Sequence, residues 1–229
     1  MKRKITILTI AFLSSMLMYA NAFAAATGRC GDSITWTLDD SGNLTLSGSG
    51  EMWNYGYVTS PFKDYGIKTV TIEYGITSIG DYVFRGCCGM TELTLPNGVM
   101  SIGGNAFEGC SGLTELTLPN SVTSIADDAF RGCRGLTKLT LPNSVTSIGE
   151  SAFYLCSGLS KITSLAEIPP VCGSGVFDGV NKTNCKLIVP IVSVIAYKQA
   201  EVWNEFSNIR GFSGVEVTVA GKTRKIVVE

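Results

Sequence analysis

The sequence predicts a β-rich repeat protein, a solenoid in which short coils of 23 residues stack on one another. Two consecutive segments are nearly identical: they read VMSIGGNAFEGCSGLTELTLPNS and VTSIADDAFRGCRGLTKLTLPNS. Framework residues of three types keep the same period: Phe84, Phe107, Phe130 and Phe153; Ile79, Ile102, Ile125 and Ile148; Cys87, Cys110, Cys133 and Cys156. A unit of this length buries its apolar face only by stacking on its neighbours, so the pattern indicates a solenoid. The repeats are expected over residues 67–164, as roughly four and a half turns.

Each coil is expected to contain two extended segments joined by a corner. Leu116 and Leu118 lie two positions apart, so they point to one face of a strand. Pro119 then ends this strand, because proline fixes φ and has no amide hydrogen for the ladder. Residues 122–125 form a second short extended piece. Residues 128–133 are too few for a stable isolated helix and are interpreted as one helical turn across the back of the coil.

The first 26 residues have the features of a secretory signal peptide. Lys2, Arg3 and Lys4 form a basic start, residues 5–20 are apolar, and Ala22-Phe23-Ala24 or Ala24-Ala25-Ala26 suits a cleavage site. The alternative is an uncleaved membrane anchor, but no basic stop-transfer cluster follows the apolar run. We therefore expect export, cleavage and no integral membrane span in the mature chain.

Residues 27–66 are expected to form an N-terminal β-hairpin cap. Residues 33–38 and 43–47 alternate polar and apolar side chains, and a turn signal separates them. A terminal unit of this kind shields the first coil from water. The aromatic segment 52–57 could contact a glycan or a protein, but we expect Trp53 to pack over the first coil instead.

A C-terminal cap is expected over residues 165–212. Residues 186–189 continue the strand ladder, residues 194–200 form a short helix with Ser193 as its N-cap, and Trp203 and Phe206 cover the last coil. Residues 213–229 are interpreted as a hairpin or a trailing strand pair.

Composition excludes several functions. The chain contains no histidine, so a Ser-His-Asp triad, a Cys-His dyad and a mixed Cys/His zinc site cannot be built. Cleavage of the signal peptide removes three of the 18 basic residues and none of the 19 acidic ones. The mature chain then has a net charge of about −4 and no basic cluster, which argues against nucleic acid as a partner. No cofactor is indicated.

The eight cysteines divide into a periodic and an irregular set. Parallel side chains on stacked coils keep their Cβ atoms about 4.8 Å apart, wider than the mean of about 3.8 Å in disulfides. The periodic set is therefore expected to form a ladder of buried, reduced thiols that pack as small hydrophobic groups: Cys87, Cys110, Cys133 and Cys156. No metal site is expected. Of the remainder, Cys172 and Cys185 flank a loop and are the candidate disulfide; the pairing of Cys30 and Cys88 stays open.

The repeat VTSIGxxAFxGCxGLTxLTLPNS closely resembles the leucine-rich repeats of the BspA-like family of bacterial surface proteins. The resemblance implies a right-handed solenoid with parallel strands on its inner face. It also implies a secreted or surface-exposed role in adhesion to host proteins or to other cells.

Because the framework residues are committed to packing, any binding must use positions that vary or face outward. The candidate contact residues on the inner strands are Glu92, Thr94, Glu115, Thr117, Lys138, Thr140 and Lys161. One interpretation is a solvated sheet face with threonine present for its β-propensity. The other is a flat contact surface that grades from acidic to basic and binds an extended protein partner.

Three functions remain open. The chain is expected to be a non-enzymatic interaction module, with a passive surface or structural component as the alternative. An exported hydrolase is the third, and its only candidate carboxylates are Asp127, Asp128 and Glu150. They lie beside small residues and in no predictable cleft, so an enzyme is not expected.

Overall fold

The computed structural model describes residues 24–63, 65–219 and 222–228 of the chain. The predicted signal peptide lies outside these residues, apart from residues 24–26, which begin the first strand. The strands are β1 Ala24–Gly31, β2 Ile34–Asp39, β3 Asn43–Gly48, β4 Gly50–Glu51, β5 Thr69–Ile72, β6 Ile76–Ile79, β7 Glu92–Thr94, β8 Ser101–Ile102, β9 Glu115–Thr117, β10 Ser124–Ile125, β11 Lys138–Leu141, β12 Ser147–Ile148, β13 Lys161–Ser164, β14 Val171–Cys172, β15 Lys186–Pro190, β16 Asn208–Val219 and β17 Lys222–Val228.

These strands form a parallel β-solenoid of about seven turns, which confirms the predicted fold class. The first strand of each coil joins one side of the solenoid, in the orders β3-β5-β7 and β9-β11-β13-β15-β16. The second strand of each coil joins the opposite side, in the order β4-β6-β8-β10-β12-β14. We call these the first and second sheets. The expected four and a half turns were too few, because the outer coils keep the geometry without keeping the 23-residue spacing.

The first sheet is interrupted once. Within the described residues no ladder joins β7 to β9, whereas the second sheet runs without a break past the same coils. Leu93 on β7 is half-buried, whereas its counterpart Leu116 on β9 is 2% exposed. We call this break the seam.

The interior is organised around a column of stacked phenylalanine rings. Neighbouring ring centroids lie 5.1–5.6 Å apart and the ring planes differ by 3–14° along the series Phe62, Phe84, Phe107, Phe130, Phe153 and Phe177. Phe62 and Phe177 extend the column at its two ends, beyond the four phenylalanines that keep the 23-residue period. Every ring in the column is almost completely buried, so the column joins the coils along the whole solenoid.

The predicted helical turn at residues 128–133 is wrong. The Phe130 N–H donates to the Ala152 carbonyl of the next coil at 2.8 Å, whereas the Arg131 N–H donates to the Asp128 carbonyl at 3.0 Å. Alternate amides thus serve the neighbouring coil and the local turn, which a helix does not allow. Asp128 and Gly132 have φ values of 54° and 71°, in the left-handed region.

The N-terminal cap contains the predicted hairpin and one further strand. β2 pairs antiparallel with both β1 and β3, and β3 then pairs in parallel with β5, so the cap is continuous with the first sheet. Trp36 is buried, and its ring meets Phe62 edge-on at 5.3 Å. The expectation that Trp53 packs over the first coil is wrong: its side chain is 41% exposed, and its indole N–H donates to Asp32.

The C-terminal cap follows the predicted order. β15 continues the ladder from β13, and helix α1, Val194–Gln199, lies between two 3-10 turns, Ile191–Ser193 and Trp203–Glu205. Ser193 is the N-cap residue of this helix, as predicted, but it is buried and its side chain makes no capping hydrogen bond. β16 pairs in parallel with β15 through residue 212 and antiparallel with β17 beyond it.

Trp203 and Phe206 cover the last coil. Both side chains are buried, and their ring centroids lie 5.3 Å and 5.4 Å from that of Phe177. The indole N–H of Trp203 donates to the Pro170 carbonyl at 2.8 Å, so the one polar atom of this ring is satisfied.

Candidate functional site

Charged side chains occupy the first position of successive strands in the first sheet. Strand register places Glu115, Lys138, Lys161 and Lys186 beside one another, and Glu92 holds the same position one repeat earlier. The next residue of each strand points into the core, as Leu139 does at 1% exposure, so the charged side chains are turned outward. These five residues, Glu92, Glu115, Lys138, Lys161 and Lys186, are called the charged row.

Lys186 is the member that sequence reasoning missed. It follows Lys161 by 25 residues instead of 23, so it falls out of phase with the repeat. The signal was nevertheless present, because residues 186–189 were predicted to continue the ladder. Aligning the first residue of that strand with Lys161 would have identified it.

A second row, two residues further along each strand, consists of threonines. Thr71, Thr94 and Thr117 are exposed and Thr140 is half-buried, whereas Thr163 is 9% exposed. We call Thr71, Thr94, Thr117 and Thr140 the threonine row. Within the described part of the chain, the hydroxyl groups of these four residues make no hydrogen bond. They can therefore bond to a partner without first breaking a bond within the protein.

One ion pair lies within the charged row. Lys138 Nζ is 2.6 Å from Glu115 Oε1, and the two side chains are 57% and 61% exposed. An exposed pair of this kind adds at most about 1 kcal/mol to stability. Glu92 and Lys186, at the two ends of the row, are exposed and form no ion pair in the described residues. The row is thus open at both ends.

The second sheet presents a shallow groove of about 560 Å³. Its outward side chains are small: Ser101, Ser124 and Ser147 lie in register on β8, β10 and β12. Asp127 is the only acidic or basic residue that lines it, and Asp127 Oδ1 accepts a hydrogen bond from the Glu150 N–H at 2.7 Å. The groove therefore lacks the convergent polar groups of a small-molecule site.

Two of the three carboxylates considered for a hydrolase, Asp127 and Asp128, have structural partners, and Glu150 is exposed. Asp127 caps the backbone of the next coil, as described above, and Asp128 Oδ1 lies 3.2 Å from Arg131 Nη1. Asp81 repeats the role of Asp127, because its Oδ1 accepts the Gly104 N–H at 2.7 Å. Asp127 and Asp128 therefore serve coil stacking and local turns.

The periodic cysteines lie directly against the phenylalanine column. All four are buried free thiols, and each Sγ lies within hydrogen-bonding distance of a phenylalanine carbonyl one coil earlier, at 3.2–3.7 Å. Burial raises the pKa of Cys87 to about 12, with a smaller contribution from neighbouring Cys88. Burial also raises the pKa of Cys110 well above its usual value.

The proposed Cys172–Cys185 disulfide is not formed in the structure, where both residues are free thiols. Cys172 takes the position of the framework isoleucines on β14, in register with Ile148, whereas Cys185 directly precedes β15 of the first sheet. The two residues thus belong to opposite sides of the solenoid. Cys30 is buried and Cys88 is exposed. Within the described residues no group of three acidic or cysteine side chains could hold a metal ion.

A comparison with known protein families identifies the repeat. A model of the BspA type leucine rich repeat region matches residues 59–184 in six copies, which is more than half of the chain. The chain belongs to the BspA type leucine-rich repeat family. The match extends beyond residues 67–164 on both sides, in agreement with the additional coils of the structure. A search of curated proteins finds no significant match.

Solved structures of bacterial leucine-rich repeat proteins share this fold. One from Eubacterium ventriosum is 21% identical, with a TM-score of 0.50; the match covers 73% of this chain and 66% of that one. One from Treponema pallidum is 22% identical, with a TM-score of 0.49; the match covers 66% of this chain and 89% of that one. One from Bacteroides ovatus is 25% identical, with a TM-score of 0.48; the match covers 70% of this chain and 48% of that one. The chain thus spans just under two thirds of the first of these proteins and about half of the last.

Proteins of the BspA type leucine-rich repeat family are typically protein-interaction proteins, secreted or on the cell surface. No helix among the described residues is long and apolar enough to cross a membrane. The family therefore indicates a protein-interaction fold for this chain.

Proposed function

We propose that the protein is an exported, non-enzymatic interaction module, a surface adhesin that binds host or cell-surface proteins through the first sheet. The contact residues are the predicted ones together with Lys186: Glu92, Thr94, Glu115, Thr117, Lys138, Thr140, Lys161 and Lys186. The observation that carries this proposal is the charged row, whose side chains are turned outward. Four of its members lie in register on the first sheet: Glu115, Lys138, Lys161 and Lys186.

Two further observations support this proposal. The phenylalanine, isoleucine and cysteine residues that keep the repeat period are buried, so packing alone explains why they recur from coil to coil. Two of the three carboxylates that could have supported a hydrolase, those of Asp127 and Asp128, instead bond to the backbone or to a neighbouring guanidinium group. Recognition is therefore left to the outward positions.

The test measures binding of the full mature chain to immobilised extracellular-matrix proteins and to whole host cells. The double variant Glu115→Lys, Lys138→Glu keeps the internal ion pair but reverses its direction, so folding is expected to be unaffected. Its binding should fall by about tenfold, because the partner then meets like charges. The matched control is Glu167→Lys, Lys198→Glu, which reverses two exposed charges that are not part of the charged row.

Two outcomes would contradict the proposal. Equal loss in both variants would mean that binding is not made by the first sheet. The other outcome is that the wild-type chain binds no matrix or cell-surface protein, although protease shaving still finds it on the cell surface. That result would favour a passive structural component.

A further inference from the structure

The charged row changes sign once along the solenoid axis. Glu92 and Glu115 are followed by Lys138, Lys161 and Lys186, and the ion pair between Glu115 and Lys138 marks the boundary. Neighbouring coils stack about 4.8 Å apart, held at the seam by the continuous second sheet and beyond it by the first sheet. Glu92 and Lys186, four coils apart, are therefore separated by about 19 Å. The acidic end and the basic end of the face are therefore at a fixed distance from each other.

We infer that the ligand of this face is an extended polypeptide segment that lies along the solenoid axis and carries two basic and then two acidic side chains at alternate positions. The segment can lie along the face with its chain running in either direction, so the basic side chains can precede or follow the acidic ones in its sequence. This inference rests on the proposed function and specifies its ligand.

The spacing of the row fits an extended chain. Alternate residues of an extended chain point to one face and lie about 6.6 Å apart, so seven residues place their outer side chains about 20 Å apart. The four same-side residues then face Glu92, Glu115, Lys161 and Lys186 in that order. Long lysine and glutamate side chains accommodate the remaining differences of about 2 Å.

The threonine row favours an extended ligand over a helical one. Its hydroxyls run beside the charged row, two strand positions away, and are not used by the described part of the protein. An extended backbone has N–H and C=O groups that these hydroxyls can bond. A helix satisfies its own backbone groups and presents none to the sheet.

The size of the face argues against a second copy of the chain as its occupant. The two rows are about 7 Å apart and the charged row is about 19 Å long. A stable protein dimer buries about 800 Å² on each partner, which is far more than these rows present. A single segment of chain fits the available area.

The test uses two synthetic peptides of the same composition, each labelled with fluorescein and titrated with the full mature chain. The ordered peptide is Lys-Thr-Lys-Thr-Glu-Thr-Glu and the interleaved peptide is Lys-Thr-Glu-Thr-Lys-Thr-Glu. Fluorescence anisotropy at low ionic strength should show roughly tenfold tighter binding of the ordered peptide, since four exposed ion pairs each contribute little. The difference should shrink at 0.5 M salt, where exposed charges are screened.

The variant Glu92→Lys, Lys186→Glu should remove the preference for the ordered peptide, whereas Glu167→Lys, Lys198→Glu should leave it unchanged. Equal binding of the two peptides, or no binding of either at millimolar protein, would overturn the inference. The proposed function would survive that result if matrix binding still depended on Glu115 and Lys138. A dimer detected by sedimentation and abolished by the Glu92→Lys, Lys186→Glu variant would instead make a second copy the occupant.

Discussion

The first and second sheets are formed by the same coils, but they tolerate different residues. Outward positions of the first sheet change from asparagine through threonine and glutamate to lysine along β3, β5, β7, β9 and β11. The matching positions of the second sheet are serine on β6, β8, β10 and β12. The first sheet thus has a variable row beside its threonine row, whereas the serine row of the second sheet is constant on these four strands. We call the first sheet the variable side and the second sheet the constant side.

Close approach of the backbones restricts the residues that directly follow β8 and β12 of the second sheet. A Cβ added at Gly149 would lie 2.5 Å from the backbone nitrogen of Asp127, and one added at Gly103 would lie 2.7 Å from that of Asp81. These glycines directly follow the strands of the second sheet, so substitution there displaces a neighbouring coil. The first sheet has no such restriction at its outward positions, where side chains extend into solvent.

The largest predicted effect is on the interior that both sheets share. Phe130→Ala should lower the free energy of unfolding by about 3–5 kcal/mol, because a buried phenylalanine is removed and a cavity remains. The Phe130 ring stacks on both Phe107 and Phe153, at 5.1 Å and 5.3 Å. Urea unfolding followed by circular dichroism measures the loss.

Lys138→Ala on the variable side is the comparison for Phe130→Ala. It removes one exposed ion pair and should cost less than about 1 kcal/mol. Similar losses for the two variants would show that the phenylalanine column is not the main source of stability.

The next largest effect on stability is expected from a glycine of the second sheet, on the constant side. Gly149→Ala should cost about 1–3 kcal/mol, because the new methyl group overlaps Asp127 of the preceding coil. Gly104→Ala is the matched control: its nearest neighbour would be 3.5 Å away, and its φ is not in the left-handed region. Thermal unfolding should separate the two variants clearly.

The chain itself suggests a compensating change for Gly149→Ala. One coil earlier, the residue equivalent to Gly149 is Ala126, and the residue equivalent to Asp127 is Gly104. An alanine is thus accepted where the facing residue is glycine. The double variant Asp127→Gly, Gly149→Ala should therefore recover part of the loss, with a measurable coupling energy between the two sites. Strict additivity would show that the backbone, and not the aspartate side chain, causes the overlap.

The pH dependence of stability reports on the buried thiols. The pKa of Cys87 is raised to about 12, mainly by burial. Below its unfolded pKa of about 8.5 the thiol is protonated in both states, so its contribution is fully present. As the pH rises from about 9 to 12, the unfolded state loses the proton first and stability falls, by at most about 1.4 kcal/mol per pH unit for one thiol.

Cys87→Ala should therefore flatten the loss of stability between pH 9 and pH 10, as measured by urea unfolding. Cys88→Ala, at the exposed neighbouring position, should leave the slope unchanged. If both variants have the same slope as the wild type, the buried thiols do not control alkaline stability.

The sequence was sufficient for the central coils because their packing is periodic. Phe107, Cys110 and Ile125 recur at one spacing, and that spacing fixes the stacking. Phe62 and Phe177 were not found because the intervals to Phe84 and Phe153 are 22 and 24 residues, although both rings join the column. A search for a 23-residue period finds only residues that keep that spacing in the sequence. The column requires only that the rings stack in space, so a coil one residue shorter or longer can still contribute a ring.

Other features depend on contacts between coils that no local pattern encodes. The turn at residues 128–133 donates its alternate amides to the next coil, and a short apolar segment gives no sign of this. Trp53 is an aromatic residue beside the first coil, but Trp36 takes the buried position on the column instead. The outward direction of Glu115 and Lys138 could be predicted from strand alternation, whereas the seam between β7 and β9 could not.

The smallest predicted effect concerns the seam, where the comparison between the two sheets is sharpest. Glu92 and Glu115 occupy equivalent outward positions on β7 and β9, and like charges on adjacent strands are destabilising. The second sheet, which has serine at its outward positions, remains continuous at these coils. Charge is not the whole cause, because β11, β13 and β15 pair although each begins with lysine.

Glu92→Lys places opposite charges on either side of the seam, as Lys138 and Glu115 are placed on the next pair of strands. This variant should raise the free energy of unfolding by about 0.5 kcal/mol, in the range of exposed ion pairs. Hydrogen exchange at the amides of Thr114 and Thr117 should also slow, because closure of the ladder protects them. Glu92→Gln separates the two contributions: it removes repulsion without adding attraction. If the lysine and glutamine variants both leave exchange unchanged, then the backbone of β7, held with Leu93 half-buried, keeps the first sheet open independently of charge.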